Sequence, residues 1–223
     1  MYQQSLFIFH RDLRIKDNKG LNECLENSKK VILIFIFTNT QINRNKYKSD
    51  NAVQFMIESL KDLDHEINKN SKKNLQIYYG KEDVIVDKII EDNEIDAIFT
   101  NMDYTPYAVK RDKKLEQVCQ KNKIQLHLIE DYLLHPIGTL LKDDGEPYRV
   151  YSPFFRNSKG KIIERPKSKS INNKIIEIED NKYSIDWSET DNYYKYNKDK
   201  LLVGGREDAI LRLKEVKECN NYN

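Results

Sequence analysis

The fold of this 223-residue chain is decided by its longest apolar run, Val31-Ile32-Leu33-Ile34-Phe35-Ile36-Phe37. Every position is apolar, so the run shows neither the two-residue alternation of a half-exposed strand nor the 3.6-residue period of an amphipathic helix. A short run rich in Ile and Val is typical of a strand that is buried on both faces of a parallel sheet. It is also far too short to cross a bilayer.

Shorter apolar runs of strand length repeat along the first 130 residues, at 6–9, 75–79, 95–100 and 124–129. Between the runs, helical periodicity predicts helices at 19–27, 51–68, 83–92 and 107–122. Strands that alternate with helices imply right-handed crossovers, and therefore an α/β fold with a doubly wound, Rossmann-like, five-stranded parallel sheet. Asp17 or Asn18 is expected to cap the first helix, and Ser49 or Asp50 the second.

The composition changes after about residue 156, where Lys, Asn, Ser and acidic residues replace most apolar ones. We therefore predict an α/β domain at 1–156, a low-complexity polar linker at 157–200 and a short helical segment at 201–223. The linker should either drape over a surface or stay mobile. The last segment opens with Gly204-Gly205 and has an apolar stripe that needs a partner, because so short a helix is marginal alone.

Charge and cysteine content exclude several classes of function. The chain has 38 basic and 36 acidic residues, so its net charge of +2 gives no general attraction to nucleic acid, and any DNA contact has to be local. The three cysteines are odd in number and lack metal-ligand spacing, which argues against a disulfide framework or a zinc site. With no signal peptide and no transmembrane run, we expect a soluble intracellular protein, cytoplasmic or nuclear.

Common catalytic motifs are absent from the sequence. There is no G-x-G-x-x-G after the first strand, no Walker phosphate loop and no G-x-S-x-G elbow, which disfavours ordinary dinucleotide, P-loop and hydrolase chemistry. The four histidines are scattered, and only His10 lies near the expected ligand crevice. We therefore assign no catalytic residue and no metal ligand to this chain.

A binding crevice is expected where the loops after the first and fourth strands meet, beyond the carboxyl ends of the strands. Phe37 would supply an apolar wall and Thr38 a polar edge, with Arg44 beyond them. Phe37 could equally be core, and loop-fixing ion pairs are the alternative role for Arg11 and Asp12. The candidate crevice residues are Arg11, Asp12, Phe37, Thr38, Asp103 and Tyr107.

The segment Phe9-His10-Arg11-Asp12-Leu13-Arg14-Ile15-Lys16-Asp17-Asn18 resembles the opening motif of the photolyase/cryptochrome family. Three further family signatures follow in order, at 101–107 with Arg111-Asp112 behind it, at 148–155 and at 204–213. The resemblance ends with the chain, so the helical C-terminal domain that binds FAD in this family has no counterpart here.

The resemblance implies an antenna-type N-terminal half of a DNA photolyase or cryptochrome. In the family this domain holds an antenna chromophore, a folate, a deazaflavin or another flavin, whereas FAD, lesion and electron-transfer tryptophans belong to the helical domain. The chain would then contribute to light-driven repair of UV pyrimidine lesions only with a separate FAD-binding chain. By itself it should be inactive, should not bind FAD, and should meet damaged DNA only indirectly.

Some folate-binding family members carry an Asn-Glu pair where this sequence has Tyr107-Ala108, which weakens a folate assignment. Two other functions remain open on the sequence alone. One is a non-enzymatic α/β module that binds a small molecule or a protein, and the other is an inactive remnant of an interrupted photolyase gene. The apolar stripe of the last segment distinguishes the photolyase function from these two alternatives, because only the photolyase function requires a helical partner that covers the stripe.

Overall fold

The five predicted strands form one parallel sheet in the computed structural model, which describes residues 1–43, 45–165 and 167–218. The strands are β1 (Tyr2–Phe9), β2 (Ser28–Phe37), β3 (Gln76–Tyr79), β4 (Ala97–Asn101) and β5 (Gln125–Ile129). Their order in the sheet is β3-β2-β1-β4-β5, all parallel. This confirms the doubly wound fold and puts the switch point between β1 and β4, the strands whose loops were expected to meet.

Helices cover both faces of the sheet. They are α1 (Lys19–Asn27), α2 (Asn39–Ile42), α3 (Asp50–Ser71), α4 (Glu82–Asp92), α5 (Pro106–Asn122), α6 (Tyr151–Lys159) and α7 (Arg206–Glu218). The four that were predicted between the strands, α1, α3, α4 and α5, agree with the predicted bounds to within three residues, whereas α2 and α6 were not predicted. Residues of α1 and α3 share one apolar core with one face of the sheet, and residues of α4 and α5 share a second core with the other face. The run at 31–37 is buried throughout, as its composition predicts.

Polar caps fix where the helices near the switch point begin. Asn18 caps α1, because its Oδ1 accepts a hydrogen bond from the Leu21 amide at 3.0 Å. Thr105 caps α5, and Pro106 occupies the first helical turn, where its missing N–H costs nothing. Ser49 takes the cap position of α3 without a side-chain hydrogen bond. The caps therefore hold the loops after β1 and β4 in place.

The segment at 157–200 drapes over the domain, which is the first of the two behaviours expected of it. It adds a short sixth strand, β6 (Ile175–Ile176), beside β2, and a 3-10 helix, Trp187–Tyr193. Trp187 packs against the core, and its Nε1 donates to the Asp64 carboxylate at 3.2 Å. A two-residue strand gives no periodic signal, so the sequence showed only a linker. The domain boundaries themselves stay a prediction.

The last described helix, α7, is held against α3 through its N-terminal glycines. The Gly204 amide donates to Glu58 at 2.9 Å and the Arg206 amide to Asp62 at 2.7 Å, so two carboxylates of α3 cap α7. A Cβ on Gly204 would overlap the backbone carbonyl of Phe55, which explains the need for glycine. Leu213 and Val216 of the predicted stripe stay exposed. The part of that segment beyond residue 218, with Cys219, lies outside the described residues.

Among the helices that the structure describes, none combines the length and the apolar character needed to cross a membrane.

Candidate functional site

A crevice of about 580 Å³ opens at the carboxyl edge of the sheet, beyond the ends of β2 and β3. It is lined by residues 38–40, by residues 79–83 and by the first two turns of α5. Tyr107 stands at its mouth with 46% of the residue exposed, and its hydroxyl lies 3.4 Å from the hydroxyl of Thr38. Tyr79 adds a second ring to the lining. The crevice therefore combines aromatic walls with polar edges, as small-molecule sites commonly do.

The lining of the crevice is positively charged. Four cations, Lys81, Lys110, Arg111 and Lys114, face only two carboxylates, those of Glu82 and Asp83. The N-terminus of α4 adds to this charge, because its cap position is held by Lys81, whose side chain makes no capping hydrogen bond. Helix N-termini present amide donors and a partial positive charge. The crevice is therefore suited to a ligand that carries an anionic group.

A buried chain of hydrogen bonds supports the crevice from behind. His10 Nε2 lies 2.8 Å from the Glu82 carboxylate, and His10 Nδ1 lies 2.9 Å from the hydroxyl of Thr100, which itself donates to the carbonyl of Ile8. Burial by itself raises the pKa of Glu82, but the charge and hydrogen bond of His10 and the charge of Arg111 outweigh it and hold that pKa below its ordinary value. Glu82 is therefore an ionised, fixed part of the wall.

Arg111 is the least satisfied polar group of the crevice. Its side chain is only 9% exposed, and its Nε donates to Asp112 Oδ1 at 2.8 Å. Its Nη2 lies 2.7 Å from the same oxygen in a geometry that makes no hydrogen bond, and it has no other partner among the described residues. Burial raises the pKa of Asp112, against the lowering effect of Arg111. The guanidinium thus pairs closely with a single carboxylate oxygen, and a ligand anion in the crevice would add a second charge-assisted contact to it.

A second polar group lies at the same edge of the sheet, near the switch point. This sealed cluster consists of Asp12, Arg14, Asn18, Asn101 and Asp131. Asn101 Nδ2 donates to Asp12 at 2.6 Å and to Asn18 at 2.8 Å, and Arg14 donates to Asp131 at 2.6 Å. Main-chain amides fill further acceptors, so this cluster fixes loops and leaves no buried polar atom of its own unpartnered among the described residues.

The structure separates the six predicted site residues. Thr38 and Tyr107 line the crevice. Asp12 belongs to the sealed cluster, and Phe37 is fully buried in the core. The remaining two, Arg11 and Asp103, form a pair at 3.2 Å outside the crevice lining, and Arg44 lies outside the described residues.

The Arg11–Asp103 pair joins the loops after β1 and β4, as expected from the switch point. Burial by itself raises the pKa of Asp103, but hydrogen bonds from the Thr105 amide and from Arg11 keep that pKa below its ordinary value. The Arg11 side chain is 66% exposed and lies over the ring of Tyr132 at 5.8 Å. The loop-fixing role considered for Arg11 is therefore the one that its contacts describe.

Sequence reasoning missed most of the cations of the crevice. Tyr107, Lys110, Arg111 and Lys114 follow the i, i+3, i+4, i+7 spacing of one helix face, directly after the proline that begins α5. That spacing, together with a lysine at the cap of α4 in place of Ser, Thr, Asp or Asn, was the available signal. Arg111 was noted only as part of a signature, because its missing partner is visible only in three dimensions.

An apolar groove of about 950 Å³ lies beyond β5, between the loop at 132–141 and α6. Its walls include Leu134, which is 71% exposed, together with Ile137 and Phe155. A contiguous exposed surface of this kind marks an interaction site more often than a free surface. In the part of the chain that the structure describes, no group of His, Cys, Asp and Glu is placed to hold a metal ion.

Comparison with known proteins gives one consistent family. The family model described as DNA photolyase matches residues 5–170. The deoxyribodipyrimidine photo-lyase of a Synechococcus strain is 27% identical over 152 residues, which cover 68% of this chain and 31% of that protein. A cryptochrome DASH of Idiomarina loihiensis is 33% identical over 102 residues, which cover 44% of this chain and 22% of that protein.

Solved structures show the same likeness over nearly the whole chain. The archaeal photolyase from Sulfolobus tokodaii, described as containing two FAD molecules and as implying a novel light-harvesting cofactor, superposes with a TM-score of 0.81 at 34% identity. The match covers 95% of this chain and 46% of that one. A class III photolyase from Agrobacterium tumefaciens, at 21% identity and a TM-score of 0.81, supports the fold alone. The chain thus spans about a third of the matched curated relatives and about half of the solved ones.

Proposed function

The chain belongs to the DNA photolyase family and corresponds to its N-terminal α/β domain, and from this premise we propose that it holds an antenna chromophore in the crevice. When bound, such a chromophore would absorb near-ultraviolet or blue light and pass the excitation to a catalytic flavin in a helical domain. The chain itself supplies the binding site and the position of the chromophore. No observation favours a remnant or an unrelated binding module.

We propose a flavin nucleotide as the antenna. The observation that carries this proposal is the excess of cations in the crevice, where Lys81, Lys110, Arg111 and Lys114 outnumber the carboxylates and the α4 N-terminus has no side-chain cap. A phosphate group would pair with this cationic lining, and the tyrosine rings would pack against the flavin ring. The flavin-containing archaeal relative supports this choice. The expectation that FAD does not bind this chain would then apply only to the catalytic FAD.

The other two chromophore classes fit less well. A deazaflavin without a phosphate group would place no anionic group against the excess of cations in the crevice. A folate would lack the Asn-Glu pair that some folate-binding family members carry, because this chain has Tyr107-Ala108 there. Ala108 is buried, and its amide is used by the cap of α5.

A binding experiment with chromophores that differ in one group tests the proposal. Riboflavin, FMN and FAD share the isoalloxazine ring, and only the last two carry phosphate, so fluorescence titration isolates the anionic contact. We expect FMN and FAD to bind at least about 10-fold more tightly than riboflavin. A deazaflavin and a reduced folate serve as the competing classes. Equal affinity for riboflavin and FMN, or tighter binding of the folate, would refute the assignment.

Two substitutions locate the binding in the crevice. Arg111→Gln removes the least exposed of the four cations that line the crevice, and we expect it to weaken FMN about 10- to 100-fold while riboflavin binding changes little. Lys113→Gln is the matched control, because Lys113 is an exposed residue of the same helix that does not line the crevice. Circular dichroism of each variant separates lost binding from lost folding.

We also propose that the apolar groove docks a helical FAD-binding domain, whether that domain lies on another chain or in a longer form of this one. Support comes from the chain spanning about half of its solved relatives and from the exposed Leu134 and Ile137. Mixing this chain with the recombinant helical half of the archaeal relative should give a 1:1 complex in analytical ultracentrifugation. Leu134→Glu should abolish it and Val84→Glu, an exposed position on α4, should not. If the Leu134→Glu variant still formed the complex, the apolar groove would be excluded as the docking surface.

A further inference from the structure

The largest local excess of basic over acidic residues lies in one segment, residues 156–174, which we call the basic arm. It contains seven Lys and Arg residues and a single acid, Glu164. Since the whole chain has 38 basic and 36 acidic residues, the other 204 residues hold 31 basic and 35 acidic ones, a net charge of −4. The net charge of +2 is therefore the sum of −4 on the rest of the chain and +6 on the basic arm.

The basic arm is held to the body of the protein at residues 167–171, while most of its cationic side chains are free. Asn22 of α1 bonds both sides of the arm, donating to the Lys167 carbonyl at 2.8 Å and accepting from the Lys169 amide at 3.0 Å. Ser168 Oγ accepts from the Asp17 amide at 3.0 Å, and Ile171 is buried against the core. This part of the arm is therefore attached to the surface of α1, so its backbone needs little further ordering to bind a partner.

Most charges of the arm are not used inside the protein. Lys169 pairs with Glu26 at 2.7 Å, and Lys174 donates to main-chain carbonyls. Within the described ranges, five exposed cations of the arm have no carboxylate within 4.0 Å, and these are Arg156, Lys159, Lys161, Arg165 and Lys167. Ion pairs satisfy many lysines elsewhere on the surface, such as Lys88 and Lys121. The arm thus keeps an unneutralised row of charge.

We propose that the basic arm binds the phosphate backbone of duplex DNA, without reading its sequence. Residues 160–165 and 167–169 lie in no helix or strand, and an extended chain of the length of 159–169 spans at most about 35 Å, close to one turn of duplex. Lys and Arg at such spacing neutralise phosphates and release counterions. The proposal rests on the proposed function only in taking DNA as the polyanion, and it gives this chain a direct contact where the sequence predicted an indirect one.

The arm and the crevice lie on opposite faces of the sheet. The arm packs through Ile171 into the core that α1 and α3 share, whereas the crevice is lined by the starts of α4 and α5. DNA binding by the arm and chromophore binding by the crevice can therefore be tested separately, and failure of one leaves the other standing.

Fluorescence anisotropy of the full chain with a labelled 20-base-pair duplex, over a series of salt concentrations, tests the proposal. The arm variant carries Lys159→Gln, Lys161→Gln, Arg165→Gln and Lys167→Gln. The matched control carries Lys69→Gln, Lys113→Gln, Lys195→Gln and Lys198→Gln, four exposed lysines that lie outside the arm and have no carboxylate partner in the described part. Both variants lose four positive charges, so they differ only in where the charge was.

We expect the arm variant to bind about 10- to 100-fold more weakly at low salt, with the slope of log affinity against log salt reduced by about 3 to 4. The control should lose less than about 3-fold. Equal losses in the two variants, or unchanged binding by the arm variant, would overturn the proposal. Vesicles with and without phosphatidylserine test the other polyanion, and binding to the anionic vesicles without binding to duplex would likewise refute it. FMN titration of the arm variant should match that of the unmodified chain.

Discussion

The sealed cluster and the crevice lie at the same edge of one sheet and are built from the same residue types, yet they differ in how their hydrogen bonds are satisfied. In the sealed cluster, Asn101 uses its amide nitrogen on Asp12 and Asn18 and its oxygen on the Gly20 amide. In the crevice, two nitrogens of Arg111 share one oxygen of Asp112, and one of them, Nη2, makes no hydrogen bond in the described part of the chain. Charged residues after strands are thus structural where their bonds close among themselves and are available for a ligand where they do not.

The largest expected effect comes from opening the sealed cluster with Asn101→Ala. The substitution removes two donors from buried carboxylate and amide oxygens and one acceptor from a main-chain amide. We expect the free energy of unfolding to fall by about 2–4 kcal/mol. Urea denaturation measures this, with exposed Asn172→Ala as control. A loss below about 1 kcal/mol would show that the cluster is not what fixes these loops.

FMN binding by the folded fraction of Asn101→Ala distinguishes the two regions further. We expect an affinity within about 3-fold of the unmodified chain, because none of the cluster residues lines the crevice. A large loss of affinity in protein that is still folded would mean that the two regions act as one site.

A smaller and pH-dependent effect is expected in the wall of the crevice from Glu82→Gln. Because His10 and Arg111 hold the pKa of Glu82 below its ordinary value, its charge stabilises the folded state above pH 4.5, and this contribution is lost as the pH falls through the folded-state pKa. At pH 7 we expect Glu82→Gln to lower the free energy of unfolding by about 1–3 kcal/mol. The difference from the unmodified chain should shrink in acid.

Denaturation curves between pH 3 and pH 7 measure this difference. Glu94→Gln, at an exposed position without an ion pair in the described part, is the control and should show no such trend. A difference between Glu82→Gln and the unmodified chain that stays constant from pH 7 to pH 3 would show that the His10–Glu82 contact does not depend on the charge of the carboxylate.

The sequence predicted what local patterns determine. The run at 31–37, its shorter counterparts, the helical periods between them and the cap at Asn18 carry signals within a few residues, and the parallel strands and the helices that join them follow from these signals. The six candidate site residues were chosen by position after a strand. That criterion found Thr38 and Tyr107 but could not separate them from Asp12, whose carboxylate is consumed by residues 6 and 89 positions away.

What escaped the sequence was whatever depends on contacts over long distances in the chain. Glu82 meets His10 across 72 residues, and the arm meets Asn22 across about 145. No period or motif records such a pairing, and polar composition at 157–200 looked the same whether it was packed or mobile. The hydrogen bond that Arg111 Nη2 lacks also depends on distant contacts, since a missing partner is visible only when every neighbour is known.

The smallest effect is expected at the mouth of the crevice, from Lys114→Gln. Lys114 is 60% exposed and lies 3.8 Å from Asp83, so the pair is screened by solvent and should change the free energy of unfolding by less than about 0.5 kcal/mol. Its charge still faces the crevice, and we expect FMN to bind about 2- to 3-fold more weakly at low salt. The difference should vanish at high salt, because an exposed charge acts only over a Debye length.

Arg111→Lys is the informative companion to that measurement, because it keeps the charge and removes the planar fork. If binding depended only on summed charge, Arg111→Lys would bind FMN like the unmodified chain. Lys114→Gln would then lose the contribution of one of the four cations of the lining. If it depends on the geometry of the guanidinium, Arg111→Lys should lose about 10-fold in FMN affinity at low and high salt alike, since a charge on a side chain that is only 9% exposed is little screened. The salt dependence of these two variants therefore decides whether the crevice attracts an anion or holds it in one geometry.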